Sequence, residues 1–122
     1  MKAKSRKEAR AVRHLRIRRK IRGTAERPRL AIAISNRQMY AQFIDDVRGV
    51  TLGAASTLGM NAKCNVETAG KLGQILLQKA QELGIKRIVV DRGGHKFHGR
   101  VRAIVEPLKQ AGLLSADKED VA

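Results

Sequence analysis

Leu30, Ile32 and Ile34 alternate with Arg29, Ala31, Ala33 and Ser35, and after the polar turn Ser35-Asn36-Arg37 the alternation resumes, with Met39, Ala41 and Phe43 set against Tyr40, Gln42 and Ile44. Side chains of an extended chain point to opposite faces in turn, so two such runs joined by a short polar turn predict a β-hairpin. A second turn, Asp45-Asp46-Val47-Arg48-Gly49, leads into Val50–Ser56, whose small residues leave room for something to pack closely over them. The period then becomes helical: Val66, Ala69/Gly70, Gly73, Leu76/Leu77, Ala80 and Leu83 fall on one face, and Gly84 supplies a stop. Gly70 and Gly73 lower helix propensity, which is tolerable if they let this face approach the sheet.

Lys86–Asp91 follows as a short β-branched strand. Strand, helix, strand in that order implies a right-handed crossover and a fourth strand parallel to an earlier one. Val101, Ile104, Val105, Leu108 and Ala111 predict a last helix over Gly99–Ala111, and Pro107 inside it is expected to bend it or move its start. The expected fold class is therefore mixed α/β: three antiparallel strands, a crossover helix, a fourth parallel strand and a C-terminal helix, all within one domain over residues 28–114.

The chain ahead of this body reads differently. Ser5-x-x-Glu8 is a capping-box pattern and Gly23 a stop, so residues 5–22 can be helical. Cations interrupt the apolar positions Ala9, Val12, Leu15 and Ile21 on every side, and their repulsion is expected to leave the segment frayed until counter-charge arrives. Residues 1–27 are thus read as a basic arm that orders on a partner, and residues 115–122 as a disordered acidic tail.

Charge says what the partner is. The 122 residues carry 26 Lys and Arg against 11 Asp and Glu, a formal net charge of +15. Residues 1–29 hold thirteen of those cations and two acids, a net of +11, while the remaining 93 residues have a net of only +4. A nearly balanced body with a strongly cationic arm points to a polyanion, either nucleic acid or an anionic membrane surface. The arm lacks the large apolar face of an interfacial helix, which places the membrane surface last. The longest uncharged stretch, residues 49–62, is too short and too polar to span a bilayer. The basic start is not followed by a suitable apolar segment, so no secretory signal is expected, and the single Cys64 suits a reducing compartment. With only Tyr40, Phe43 and Phe97 aromatic, a face of stacking rings for splayed bases is excluded.

The densest constellation is Asp91-Arg92-Gly93-Gly94-His95-Lys96-Phe97-His98-Gly99-Arg100, which joins the end of a strand to the start of a helix. Free N–H groups and the helix dipole favour anions there, and glycines, cations and histidines add to that, so phosphate binding is one reading. A glycine turn with ordinary solvated charges is the other. Gly94-x4-Gly99-Arg100-Val101 approaches a nucleotide-binding P-loop, but Arg stands for the lysine and Val for the magnesium-holding hydroxyl. His95 and His98 with Cys64 or Asp91 lack a second ligand pair for zinc, so no metal and no cofactor are expected. His14 is read as a backbone-facing or phosphate-facing group and Cys64 as a buried small hydrophobe. A two-metal nuclease needs clustered carboxylates, whereas Asp45, Asp46 and Asp91 are read as loop residues, so no enzymatic activity and no small-molecule substrate are expected.

Several of these segments, taken in order, closely resemble the bacterial large-subunit ribosomal protein L18 family: Arg18-Arg19-Lys20-Ile21-Arg22-Gly23-Thr24, Arg27-Pro28-Arg29-Leu30, Ser35-Asn36-Arg37, Tyr40-Ala41-Gln42-Phe43-Ile44-Asp45-Asp46, Thr51-Leu52, Ala55-Ser56-Thr57, the whole run Asp91–Val101, and Ala111-Gly112-Leu113. The resemblance covers nearly the whole chain. It implies a truncated ribonuclease-H-like body without enzymatic activity, binding 5S rRNA in the central protuberance of the cytoplasmic ribosome and helping attach it to 23S rRNA beside neighbouring large-subunit proteins. Carried over by motif, it implies RNA contacts at Arg16, Arg18, Arg19, Lys20, Arg22, Arg29, Ser35, Asn36, Arg37, Arg92, Gly93, Gly94, His95, Lys96, His98 and Arg100. The acidic extension and Pro107 depart from the family pattern. Independently of the resemblance, many cations with few rings suit recognition of folded, double-helical RNA by shape and phosphate position. A basic DNA- or chromosome-associated protein is the alternative.

Overall fold

A computed structural model describes residues 5–58, 60, 63–93 and 99–114, with the side chains of residues 17–20 outside that description. A helix, α1 (Arg6–Lys20), precedes three strands, β1 (Arg29–Ile34), β2 (Met39–Asp45) and β3 (Val50–Ser56). Helix α2 (Val66–Glu82), strand β4 (Val89–Asp91) and helix α3 (Arg100–Gln110) follow. The sheet order is β3-β2-β1-β4, antiparallel between the first three and parallel between β1 and β4. This is the expected mixed α/β fold.

The alternation in sequence sets the register. Ile34 pairs with Met39, Ile32 with Ala41 and Leu30 with Phe43, so the apolar set of both strands shares one face. That face meets Ala69, Leu72, Leu76, Ala80, Val101, Ile104, Val105 and Leu108 from α2 and α3 in a single core. The other face carries Ala33, Tyr40, Gln42 and Ala54, all exposed. Phe43 faces Gly53 whereas Ile44 faces Thr51, an irregularity that leaves Leu52 as an extra residue in β3.

Several local expectations change once the layers meet. On α2 the buried set is Thr68, Ala69, Leu72, Gly73, Leu76 and Ala80, while Val66 and Leu83 at its ends are half exposed. Gly73 approaches α3 rather than the sheet: a Cβ there would stand 2.5 Å from the carbonyl oxygen of Ile104 and 3.0 Å from the Pro107 ring. Gly70 has nothing within 4 Å of its would-be Cβ and serves no close approach. Strand β3 does receive a close neighbour, since a Cβ on Gly53 would lie 2.8 Å from Leu83 Cδ1. Pro107 does not displace the start of α3, which keeps Pro107 inside it and turns that ring toward the gap Gly73 provides. Strand β4 is shorter than the Lys86–Asp91 expectation because Ile88 already spends its N–H on the carbonyl of Leu113.

Candidate nucleic-acid interface

Helix α1 begins where the sequence places its cap: Ser5 Oγ accepts from Glu8 N at 3.1 Å. Arg6, Lys7, Arg10, Arg13 and Arg16 are exposed along it, as are Val12 and Leu15. The segment is helical over Arg6–Lys20. His14 Nε2 lies 2.9 Å from Asp91 Oδ2, so His14 meets a protein carboxylate rather than the backbone or phosphate partner expected of it. Past α1, Ile21 is buried and Gly23 forms a two-way clasp with Asp46: Gly23 N donates to Asp46 Oδ2 at 2.6 Å, and Asp46 N donates to the Gly23 carbonyl at 3.0 Å.

Asp45 and Asp91 are the last residues of β2 and β4, both 1% exposed, and not loop residues. Asp91 and the adjoining Asp46 grip Arg29 from two sides. The Arg29 guanidinium donates from Nε and Nη2 to Asp46 at 3.0 and 3.1 Å and from Nη1 to Asp91 at 2.8 Å. Burial alone would lower its pKa, but the hydrogen bonds and charges of Asp46 and then Asp91 outweigh that and raise it above the ordinary guanidinium value. Arg29, placed among the RNA contacts by resemblance, is only 8% exposed and committed to protein carboxylates. A buried charge must be paired, and here three charges pair one another. The arrangement also argues against a metal site, because a guanidinium occupies the space between the two carboxylates. Among the described residues no group of three or more His, Cys, Asp or Glu is placed to hold a metal.

The glycine-rich loop starts from the same carboxylate. Asp91 Oδ1 accepts from Gly93 N at 2.9 Å, and Gly93 takes φ +62°, a backbone conformation that suits glycine. Gly94, His95, Lys96 and His98 lie outside the described residues. The chain re-enters at Gly99, φ +56°, and Arg100, whose Nη1 donates to Cys64 Sγ at 3.2 Å. Cys64 is partly rather than fully buried, packs against the core and is also hydrogen-bonded, and its thiol lies 3.7 Å from the Ser35 carbonyl. Arg92 and Arg100 are half-buried, less open than solvated loop cations would be. Ser35 closes the β1–β2 turn, its N–H donating to the Gln38 carbonyl at 2.9 Å, and leaves Asn36 and Arg37 exposed.

Because β1 and β4 are parallel, the turn after β1 and the loop after β4 emerge at the same end of the sheet. Ligands of open α/β sheets collect at such carboxyl ends. Of the residues named from sequence, Ser35, Asn36, Arg37, Arg92, Gly93 and Arg100 converge there, and α1 with Arg16 is held alongside through His14. Arg18, Arg19 and Lys20 complete α1, and Arg22 is exposed beyond it. The sequence reading missed the part played by His14, Asp46 and Asp91. The available signal was a charged residue at the strand position of Arg29, in step with Ala31 and Ala33 on the open face and with acids at the ends of two other strands.

A cationic helix and a glycine-bearing loop carried on one α/β body are the kind of surface that nucleic-acid-binding proteins present. Comparison with known proteins gives the family. Residues 4–114 match the family model described as ribosomal L18 of archaea, bacteria, mitochondria and chloroplasts. Large ribosomal subunit proteins uL18 of Bacillus cytotoxicus and of Bacillus cereus strain AH820 are each 51% identical over 105 residues, covering 83% of this chain and 88% of the relative. The same figures hold for uL18 of Bacillus thuringiensis subsp. konkukian. The chain belongs to the ribosomal L18 family, a structural and non-enzymatic family of the large ribosomal subunit.

Proposed function

We propose that this chain binds 5S rRNA and helps attach it to 23S rRNA in the central protuberance, next to other large-subunit proteins. The observation that carries the reading is the meeting of α1 and the loop after β4 on Asp91, which sets exposed arm cations beside a loop suited to phosphate. Residues 1–27 act as the RNA-binding arm and residues 28–114 as the body that presents the loop. The contacts assigned to this surface are Arg16, Arg18, Arg19, Lys20, Arg22, Ser35, Asn36, Arg37, Arg92, Gly93, Gly94, His95, Lys96, His98 and Arg100, with Arg29 acting from beneath it. Arg and Lys placed by secondary structure recognise the phosphate spacing and shape of an RNA helix without stacking rings.

Equilibrium binding of full-length protein to 5S rRNA, to an unrelated duplex RNA of equal length and to duplex DNA, all at one stated salt concentration, tests this. Selective binding of 5S rRNA is the expected result. Equal affinity for all three would leave only a general polyanion binder, and a preference for DNA would favour a chromosome-associated role.

A further inference from the structure

The geometry points to Asp91 as a positioning residue that couples the arm to the glycine-rich loop, so that the two bind RNA as one unit. This inference rests on the RNA-binding reading above and deepens it. Asp91 is 1% exposed and does not itself face RNA. Its two oxygens instead take three donors from three separate segments: His14 Nε2 of α1 at 2.9 Å, Arg29 Nη1 of β1 at 2.8 Å and Gly93 N of the loop at 2.9 Å. His14 and Asp91 are 77 positions apart in the chain, and their hydrogen bond ties the middle of α1 to the sheet.

The physical consequence is specific. Helix α1 leaves the apolar side chains of Val12 and Leu15 exposed. The contact at His14 and the clasp between Gly23 and Asp46, where the arm enters the body, both hold its orientation. Arg29 closes the circuit, because the guanidinium that neutralises Asp91 also holds Asp46. One buried carboxylate thereby sets the distance between the arm's cations and the start of the loop. A polyanion whose phosphates match that distance meets both segments already in place and loses less conformational entropy on binding than with two independent tethers.

A double-mutant cycle in the full-length protein tests the coupling. His14→Ala removes the donor, whereas His14→Gln keeps an N–H at the same reach from the backbone. Affinity for 5S rRNA and thermal melting are measured for both, for Arg16→Ala, and for Arg16→Ala combined with His14→Ala. His14→Ala is expected to weaken binding about tenfold, the scale of losing one charge-assisted hydrogen bond. Its melting temperature should fall by no more than about 5 °C. His14→Gln should restore most of the affinity. Arg16→Ala should cost several-fold in the wild-type background and much less once His14 is alanine, since an arm that is no longer placed has less to lose.

Wild-type affinity after His14→Ala, or strictly additive losses in the cycle, would overturn the coupling while leaving 5S rRNA binding intact. Failure of the wild-type protein to prefer 5S rRNA would instead overturn the underlying function.

Discussion

Arg29 and Asp46 form a two-point ion pair at the start of β1, with Nε 3.0 Å from Oδ2 and Nη2 3.1 Å from Oδ1, and the same guanidinium reaches Asp91 with its remaining nitrogen. Removing one partner of such a buried cluster strands the others. Arg29→Ala should therefore destabilise the fold by about 3–5 kcal/mol, because two carboxylates lose their cation. Arg29→Lys should recover little, since one ammonium cannot span three oxygens held in a fork. Chemical denaturation of the three proteins checks this, and a lysine variant as stable as wild type would contradict it.

The two α2 glycines give opposite outcomes from the same substitution. Gly73→Ala drives a methyl group onto the Ile104 carbonyl and the Pro107 ring, and α2 and α3 must part to accept it, at a cost of about 1–3 kcal/mol. Gly70→Ala meets open space and should stabilise by about 0.5–1 kcal/mol through helix propensity. Thermal melting of the pair would decide, and a stable Gly73→Ala would show that the helices are not in close contact there.

The contrast between these glycines marks how far sequence reaches. Period two in residues 30–44 determines the hairpin and its register, because a strand with one buried face has no other way to hide Leu30, Ile32 and Phe43. The helical period of α2 is equally plain, yet it does not say which neighbour each position meets, so periodicity sets Gly73 against the sheet and passes over Leu72. The cluster of His14, Arg29, Asp46 and Asp91 is illegible for a related reason. Each residue looks like a surface charge in its own segment, and only the pairing of β1 with both β2 and β4, with α1 laid against them, brings them together. The loop glycines and the arm's charge are legible because backbone freedom and net charge are local properties.

Exposed arm cations should control the salt dependence of RNA binding. Replacing Arg6, Arg10 and Arg16 with Gln should lower the slope of log affinity against log salt by up to about 0.9 for each phosphate that is no longer neutralised. All three side chains are exposed, so the melting temperature should hold. An unchanged slope would place the arm away from the RNA.

The loop should separate charge from backbone. Arg92→Ala with Arg100→Ala removes two half-buried cations and should weaken 5S rRNA binding more than it lowers stability. Gly93→Val forces a β-branched residue to φ +62° beside the hydrogen bond to Asp91, at a cost of about 1–3 kcal/mol, and should impair both. Binding and melting measured on the same samples distinguish the two effects. A double alanine variant that binds like wild type would make the loop a structural turn.

Mapping amide chemical shifts during a titration with 5S rRNA tests the interface most directly. The largest changes should fall on α1, on Arg92, Gly93 and Arg100, and on the Ser35–Arg37 turn. The outer faces of α2 and α3, including the shallow cleft lined by Glu67, Lys71, Gln74 and Glu106, should stay unchanged. Changes concentrated on that helical face, with α1 and the loop silent, would contradict the account.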